Sequence, residues 1–276
     1  MSGQYKVAWL CEALMVLRSG YYQWCHRARR PGRRQMENAR LRQQIREVYT
    51  ASRETYGSPR IARELGCPGR RHRIARLMRL ERIHVRQLSK FRVATTDSRH
   101  ADPIAPNRLL ALKAQRPDQV WVTDATCVLT SQGWLYLVAV LDIYSRRVLG
   151  WAMHERLEAT VMIAALEMAI ARRRPPPGVI LHSDRGAQFA CAAYRAALAR
   201  HGLVASMSRK GNCYDNAFIE SFWSSLKYEA VWPRKFATRD EARTALFDYI
   251  ESFYNRTRLH SSLGYMSPVN FESQLN

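Results

Sequence analysis

The sequence lacks the features of a membrane protein, an exported protein or a structural zinc protein. No run of about 20 apolar residues, the length that crosses a bilayer, occurs in the chain. The short apolar run near the start is interrupted by Lys6 and Glu12, and no small-residue cleavage site follows it, so we expect no signal peptide. None of the cysteines forms a C-x-x-C pair, which gives little support to structural zinc and favours reduced thiols in the cytosol.

Acidic residues are scarce as well. The chain has 23 Asp and Glu against 44 Lys and Arg, a net charge of +21 over 276 residues. Such a positive field attracts polyanions, most commonly nucleic acid and less often an anionic membrane. Residues 1–116 hold 26 basic and 8 acidic residues (+18), whereas residues 117–276 hold 18 and 15 (+3). This asymmetry predicts a basic, DNA-binding arm joined to a second part with a different function.

The basic arm has the periodicity of helices. Apolar residues recur at three- and four-residue steps at Val7, Leu10, Leu14 and Leu17. We expect this first helix to bury that face and to end at Ser19-Gly20. A second helix is predicted over residues 36–52, with its apolar residues facing inward.

A short helix and a basic helix follow in close succession. Ser58 is placed to cap the first and Pro59 to occupy its first position, with an end near Gly66. The second, predicted over residues 70–82, buries its apolar residues and presents arginines. This order is typical of a helix-turn-helix, whose second helix enters the major groove, although any basic three-helix bundle has a similar pattern. The candidate DNA contacts on it are Arg71, Arg73, Arg76 and Arg79.

The character of the chain changes after a linker that we predict over residues 84–116. Five β-rich segments are predicted at 120–128, 135–142, 147–153, 179–181 and 203–206, the first three as a meander. Helices are predicted at 157–173, at 187–201, from about 215, and from Thr238, which forms a capping box with Glu241. The expected domains are therefore residues 1–83 (helical, DNA-binding), 84–116 (linker) and 117–276 (α/β, with a C-terminal helix).

Three carboxylates occupy informative positions in this second part. Asp124 lies within an apolar strand, Asp184 ends another, and Glu220 lies early in a helix; 59 and 35 residues separate them. Carboxylates that meet at strand ends supply the hard oxygen ligands that Mg²⁺ or Mn²⁺ prefers. Taken singly, Asp124 and Asp184 could equally be a turn cap and a paired strand-end charge.

The residues around the carboxylates form long, ordered motifs. They are Trp121-x-Thr123-Asp124-x-Thr126, His182-Ser183-Asp184-Arg185-Gly186-x-Gln188-Phe189 and Asn216-Ala217-x-x-Glu220-Ser221-Phe222-Trp223-x-x-Leu226-Lys227. A further motif near the end reads Tyr254-Asn255-x-x-Arg258-x-His260-Ser261-x-Leu263-Gly264-Tyr265-x-Ser267-Pro268, and upstream stand Tyr56-Gly57-x-x-Arg60-Ile61 and Arg76-Leu77-Met78-Arg79. Together they closely resemble the second open reading frame product of the IS-three family of insertion-sequence transposases. Ala187, Phe189 and Cys127 depart mildly from the family pattern.

The resemblance implies an α/β fold: an RNase H-like integrase core with a mixed five-stranded sheet and flanking helices, preceded by an all-α helix-turn-helix region. It implies that Asp124, Asp184 and Glu220 hold two Mg²⁺ ions, which Mn²⁺ can replace, for cleavage of DNA ends by water and strand transfer by the freed 3′-hydroxyl. Arg60, Arg209, Lys210 and Lys227 join the candidate DNA contacts. We expect Trp223 to pack the helix that carries Glu220. The role of Arg258 and His260 is open, and capping of a helix terminus would account for them.

Two other functions stay open at this stage. One is a catalytically silent DNA-binding regulator of transposition, and the other is an RNase H-type nuclease that only hydrolyses. The expected partners are double-stranded DNA at the element ends and target, further copies of the chain on that DNA, and the product of a preceding open reading frame. The expected location is the bacterial cytoplasm, in association with the nucleoid and with no membrane contact.

Overall fold

The computed structural model describes residues 5–29, 32–85, 102–109, 112–209 and 216–275, without the side chains of 27–29. The chain forms two compact units, residues 1–85 and 86–276. Much of the predicted linker, residues 86–101 and 110–111, lies outside the described residues. Within the second unit, the backbone N–H of Arg108 donates a hydrogen bond to Ser206 Oγ at 2.9 Å. The division into domains at 83/84 and 116/117 stays a prediction.

The first unit is helical, as the periodicity predicts. Its helices are α1 (Val7–Ala13), α2 (Arg18–Arg29), α3 (Arg33–Ala51), α4 (Ser58–Glu64) and α5 (Arg71–Leu80), with a 3₁₀ turn at Pro68–Arg70 before α5. Fully buried Ile45 of α3, Ile61 of α4, and Ile74 and Leu77 of α5 form a shared apolar core. The predicted short helix, turn and basic helix are therefore present, and the apolar face of α5 is buried as expected.

The predicted end of the first helix at Ser19-Gly20 is wrong. The break comes earlier, between Ala13 and Arg18, and α2 runs straight through those two residues. Met15 has a φ of 53° there, in the left-handed region that ends a helix. Leu14 and Leu17 are consequently exposed rather than inward. A glycine inside a helix costs only about 1 kcal/mol relative to alanine, so Gly20 alone does not stop one.

The start of α4 also differs from the prediction. The helix includes Ser58, and its N-cap is Gly57, which has no side chain to accept a capping hydrogen bond. Pro59 does occupy the first turn, where its missing N–H leaves no helical bond unmade. The helix is thus started by proline at the expected place but is not capped by Ser58.

A five-stranded mixed sheet forms the centre of the second unit, confirming the predicted fold class. The strands are β1 (Val120–Thr130), β2 (Gly133–Asp142), β3 (Val148–His154), β4 (Ile180–Ser183) and β5 (Val204–Met207). They lie in the order β3-β2-β1-β4-β5. The meander pairs antiparallel, while β4 and β5 are parallel to β1.

Helices flank this sheet and extend beyond it. They are α6 (Ala159–Arg173), α7 (Ala187–Ala190), α8 (Ala192–Arg200), α9 (Ala217–Leu226), α10 (Arg239–Asp248) and α11 (Pro268–Glu272). The chain continues from α9 and α10 as π-helical turns at Lys227–Val231 and Tyr249–Tyr254. Thr238 caps α10 as predicted, accepting from Glu241 N–H at 3.1 Å, while the Glu241 carboxylate accepts from the backbone of Ala237 at 2.8 Å.

One glycine fixes how closely helix and sheet approach. A Cβ added to Gly150 of β3 would lie 2.1 Å from the backbone O of Ala165 and 2.6 Å from the backbone N of Ala169, both in α6. Only glycine permits this contact. The space between the sheet and α6 is filled by Trp121 and Val138 of the sheet and by Leu166 of α6, which are fully buried.

No helix in the described part of the chain is long and apolar enough to cross a membrane. Cys11, Cys25, Cys67, Cys127 and Cys191 are free thiols, as the sequence predicts. Cys213 lies outside the described residues.

Candidate active site

Two of the three predicted carboxylates belong to neighbouring parallel strands: Asp124 lies within β1, and Asp184 directly follows β4. Val122 of β1 pairs with His182 of β4. Extending this register by two residues places Asp124 level with Asp184, on strands that lie about 4.8 Å apart. The parallel pairing therefore brings together two acidic residues that are 60 positions apart in the sequence.

Asp124 lies in a site that opposes its ionisation. Burial raises the pKa of Asp124 to about 7, the nearby charges of Asp184 and Glu220 also raise it, and hydrogen bonds from the backbone of Ala125 and the indole of Trp223 act in the opposite direction. Carboxylates that share a site repel one another in this way until a proton or a cation compensates them. The same pattern shows that the charges of all three predicted residues act on one place.

Glu220 reaches this place from α9, and Trp223 fixes the helix there. The indole Nε1 of Trp223 donates a hydrogen bond to Asp124 Oδ2 at 2.9 Å. The Trp223 ring is buried and packs against Phe222, at 4.7 Å between centroids. Residues three apart on a helix are neighbours, so this bond holds the exposed Glu220 on the side of α9 next to Asp124.

The expectation for Trp223 was correct but incomplete. It packs the helix as predicted, yet it also orients a candidate catalytic carboxylate. The signal in the sequence was its position three residues after Glu220 together with the need of a buried indole N–H for an acceptor. That pattern indicates a polar partner without saying which one.

Asp184 is oriented by its own loop. Its Oδ1 accepts a hydrogen bond from the backbone N–H of Gly186 at 2.9 Å, across the turn that precedes α7. Next to it, the Arg185 side chain donates to the backbone O of Ser208 at 2.6 Å. Arg185 therefore ties the loop after β4 to the segment after β5.

The carboxylates fit a divalent cation by their chemistry. Three carboxylates offer oxygen atoms alone, the hard ligands that Mg²⁺ takes, and each ionised group has about four lone-pair sites. Among the described residues, no group of three or more His, Cys, Asp and Glu side chains is close enough together to hold a metal ion as it stands. The raised pKa of Asp124 is the observation in favour of a cation, because a positive charge would relieve the repulsion that causes it.

The predicted DNA contacts of the first unit fall into three groups. Arg71, Arg76 and Arg79 are exposed on α5. Arg60 stacks over the ring of Tyr56, at 5.5 Å from the centroid, and is partly exposed. Arg73 differs from its neighbours, because it donates to Asn38 Oδ1 at 2.8 and 3.0 Å and to Glu37 Oε2 at 3.3 Å.

The other predicted contacts belong to the second unit. Arg209 is exposed at the end of a described segment, and Lys210 lies outside the described residues. Lys227 is partly exposed at the end of α9, and its charge lowers the pKa of the Cys127 thiol, against the larger effect of burial, which raises it. Lys227 therefore lies close to Cys127 of β1, and Cys127 is three residues beyond Asp124 along that strand.

The closing motif has a structural task that the sequence did not reveal. Arg258, 5% exposed, donates to both oxygens of Glu229 at 2.7 Å and to Ser225 Oγ at 3.1 Å. Asn255 exchanges two hydrogen bonds of 2.9 Å with the backbone of Val148. The motif therefore holds α9 and its π-helical extension through Arg258 and contacts β3 through Asn255, and the open role of Arg258 is that of one half of a buried ion pair.

Comparisons with known proteins agree with this architecture. Models of the integrase core domain match residues 114–213 and 201–268, and a model of an HTH-like domain matches residues 36–91. A 31 kDa protein of insertion element IS600 from Shigella sonnei is 45% identical over 269 residues, covering 96% of this chain and 98% of that protein. Transposase InsF of insertion sequence IS3A from Escherichia coli K12 is 40% identical over 275 residues, covering 98% and 95%.

Solved structures give a weaker likeness. A chain in the simian T-cell lymphotropic virus intasome, solved in complex with the PP2A regulatory subunit B56 gamma, has a TM-score of 0.49 at 16% identity. It covers 64% of this chain and 60% of that one. The family models and the two insertion-sequence proteins therefore carry the comparison.

Proposed function

We propose that this chain, which belongs to the IS-three (IS3) family of insertion-sequence transposases, cleaves the ends of its element and joins the freed 3′-hydroxyls to target DNA by means of Asp124, Asp184 and Glu220. The observation that carries the assignment of these residues is the convergence of their charges on Asp124, which lies within β1 beside the end of β4, while Glu220 lies in the first turn of α9.

Divalent cations complete this proposal. We take the three carboxylates to hold two Mg²⁺ ions, which Mn²⁺ can replace. When bound, such a pair of ions activates the attacking oxygen and stabilises the leaving oxygen of a phosphodiester. The chain's own part is to aim the ligands: the Trp223 indole sets the plane of the Asp124 carboxylate, and the Gly186 N–H sets that of Asp184.

The exposed arginines of α5 suit the DNA-binding part of this function. Arg71, Arg76 and Arg79 present charge on the second helix of the HTH-like region, where a helix-turn-helix protein reads the major groove. Arg60, Arg209, Lys210 and Lys227 are proposed as further contacts to DNA. We propose Arg73 for the same surface, although its bonds to Glu37 and Asn38 give it a share in holding α5 to α3.

The proposed partners follow from the reaction. Cutting and joining involves two element ends and a target, so we propose that double-stranded DNA assembles several copies of the chain. The product of a preceding open reading frame is a further proposed partner. The proposed site of action is the bacterial cytoplasm, on the nucleoid.

Asp184→Asn is the test of the catalytic assignment. We expect this variant to bind duplexes that carry the element's terminal repeats as tightly as the unchanged chain does. Cleavage and joining in the presence of Mg²⁺ should fall by at least about three orders of magnitude, because an amide cannot replace an anionic ligand of the cation. Electrophoresis of labelled DNA ends measures both reactions. Undiminished joining by Asp184→Asn would remove the assignment.

The same assay separates the two alternative functions. A silent DNA-binding regulator gives binding without cleavage or joining in the unchanged chain. A nuclease that only hydrolyses gives cleavage without joined products.

A further inference from the structure

A groove lies along the outer end of β1, beginning at Cys127, three residues beyond Asp124. It has a volume of about 600 Å³. One wall is the hairpin of β1 and β2, including Leu129 and Trp134, and the other is the segment that follows α9, including Trp232 and Lys235. We call it the hairpin groove. A volume of this size accommodates a ligand as large as a nucleotide.

The far end of the hairpin groove is closed by backbone contacts. Thr130 and Phe236 form a β-bridge, and the Ser131 N–H donates to the Phe236 O at 3.0 Å. The two walls are therefore fixed to one another. The groove exists in the folded chain and needs no ligand to form it.

The near end of the groove lies beside the catalytic residues. Cys127, in the wall, is three residues beyond Asp124 on β1, a distance of about 10 Å along an extended strand. Lys227, in the opposite wall, is about two helical turns beyond Glu220. At about 3.4 Å of rise per nucleotide, 10 Å corresponds to two or three nucleotides of a DNA strand.

The charge of the hairpin groove is of one sign. Three basic residues line it, Lys227, Arg234 and Lys235, and its lining contains no Asp or Glu. No carboxylate within the described residues pairs with these three cations. This concentration stands out because residues 117–276 as a whole are close to neutral. It fits a polyanionic strand and not a basic or uncharged ligand.

The groove also offers aromatic and apolar surface. Trp134 is 37% exposed and Leu129 is 61% exposed. Trp232 is partly exposed, and it is held upright by an edge contact with Tyr228, at 4.5 Å between ring centroids and 82° between planes. Indole faces beside cations are the combination with which proteins hold unpaired bases by stacking. A base inside a duplex cannot stack there, because both of its faces are covered by its neighbours, so more than the last base can be held only when the end is unpaired.

We propose that the hairpin groove binds two or three unpaired nucleotides of the DNA end, with bases against Trp232 and Trp134 and phosphates against Lys227, Arg234 and Lys235. This proposal rests on the transposase function proposed above, since that function brings a DNA end to the carboxylates. Holding the end open carries the adjoining phosphodiester toward Asp124, which a rigid duplex end would approach less closely. The groove thus selects an opened end as the substrate of the reaction.

The test uses the full chain and duplexes of the element's terminal repeat whose last three pairs are replaced by mismatches, with 2-aminopurine at one of the unpaired positions. Without divalent metal no chemistry occurs, so quenching of the unpaired base reports only its stacking on protein. We expect quenching on binding for the unchanged chain. Trp232→Ala should remove most of it and Trp232→Phe should keep it, because phenylalanine still offers a ring face.

A joining assay with Mg²⁺ gives the second readout. Trp232→Ala and Trp134→Ala should each join fully paired ends about tenfold more slowly, as expected when one stacked base loses its partner. Ends made unpaired by mismatches should recover most of this loss. Phe247→Ala is the matched control, because Phe247 is an exposed aromatic residue of α10 outside the groove, and it should leave both readouts unchanged.

The proposal is overturned if the 2-aminopurine signal of Trp232→Ala and Trp134→Ala equals that of the unchanged chain, or if paired and mismatched ends respond equally to these substitutions. Failure of the function proposed above has a different result. The unchanged chain then quenches the fluorescence in the metal-free experiment but produces no joined DNA with Mg²⁺. The double variant Arg234→Ala with Lys235→Ala leaves the aromatic packing intact. It should lower the slope of log affinity against log salt concentration by about 0.7 per lost phosphate contact.

Discussion

At the scale of single residues, the bond from Trp223 to Asp124 links helix packing to the candidate metal site. The indole N–H lies 2.9 Å from Asp124 Oδ2, and the ring is 6% exposed. Groups that orient a metal ligand in this way commonly account for a factor of about 10 to 100 in metal affinity. Trp223 is therefore a positioning residue: it acts through Asp124 and does not itself touch DNA or the cation.

Trp223→Phe should keep the packing and lose only this hydrogen bond. We expect about tenfold or greater weakening of Mn²⁺ binding, measured by calorimetry on the chain without DNA. Trp151→Phe is the matched control, because Trp151 also donates its indole N–H to a carboxylate, that of Glu251, at 2.7 Å. Equal Mn²⁺ affinities in the two variants would show that Trp223 has a structural role alone.

The residues of the site differ in how far the sequence predicts them. Asp124, Asp184 and Glu220 were assigned from the motifs around them, since spacing alone left two of them explicable as ordinary strand-end charges. The partner of Trp223 and the pairing of Arg258 with Glu229 were not predicted. Trp223 and Asp124 are 99 positions apart, and Arg258 and Glu229 are 29 positions apart. No local sequence pattern specifies contacts over such distances. Only the packing of whole elements determines them.

At the scale of elements, the closing motif holds α9, the helix that carries Glu220, in place. Arg258 and Glu229 are 6% and 10% exposed at their side chains, and the Tyr249 hydroxyl also donates to Glu229 at 2.7 Å. This cluster joins the π-helical turn after α9 to the one after α10. The orientation of α9, and with it the position of Glu220, depends on that junction.

Glu229→Gln should destabilise the chain by about 3 kcal/mol, because the guanidinium of Arg258 stays buried without an opposite charge. Urea unfolding measures this loss. Asp240→Asn provides the comparison, since it breaks an exposed pair with Arg243 at 3.7 Å and should change the free energy of unfolding by less than about 1 kcal/mol. A similar small effect in both variants would contradict the role given to the buried pair.

The elements themselves were predicted where local patterns are strong. All five strands appear at the expected places because short β-rich runs bounded by turn residues are specific signals. The end of α1 was misplaced because a single glycine is a weak stop, and the π-helical turns were not predicted. Such turns depend on side-chain packing against neighbouring elements, here on Glu229 and Tyr249, and have no periodicity of their own.

At the scale of the whole molecule, the C-terminal helix is tied to the second unit by charge. Glu272 of α11 accepts from Arg147 at 2.6 Å and from Arg173 at 2.6 and 3.0 Å. Burial of Glu272 opposes its ionisation, but hydrogen bonds from Ser145, Arg147 and Arg173 outweigh burial and hold its pKa below the usual value of 4.5. Ionised Glu272 therefore stabilises the fold.

The lowered pKa of Glu272 determines how the stability of the chain depends on pH. A carboxylate with a lowered pKa in the folded chain contributes stability that is fully present above pH about 4.5 and is lost as the pH falls through the folded value. Glu272→Gln should be about 2 kcal/mol less stable than the unchanged chain near pH 7. Thermal unfolding between pH 7 and 3 should show the difference closing only at the acid end. A difference that is constant with pH would contradict this account.

The central claim is that Asp124, Asp184 and Glu220 hold the cations of strand transfer. It is tested most directly by changing the ligand and the metal together. The measurement is the rate of joining by Asp184→Cys with Mg²⁺ and with Mn²⁺. Sulfur is a poor ligand for Mg²⁺, while Mn²⁺ accepts it more readily. We predict no joining with Mg²⁺ and partial recovery with Mn²⁺, with Asp184→Ala inactive in both metals. Joining by Asp184→Cys at the unchanged rate with Mg²⁺, or joining by Asp184→Ala, would contradict the account.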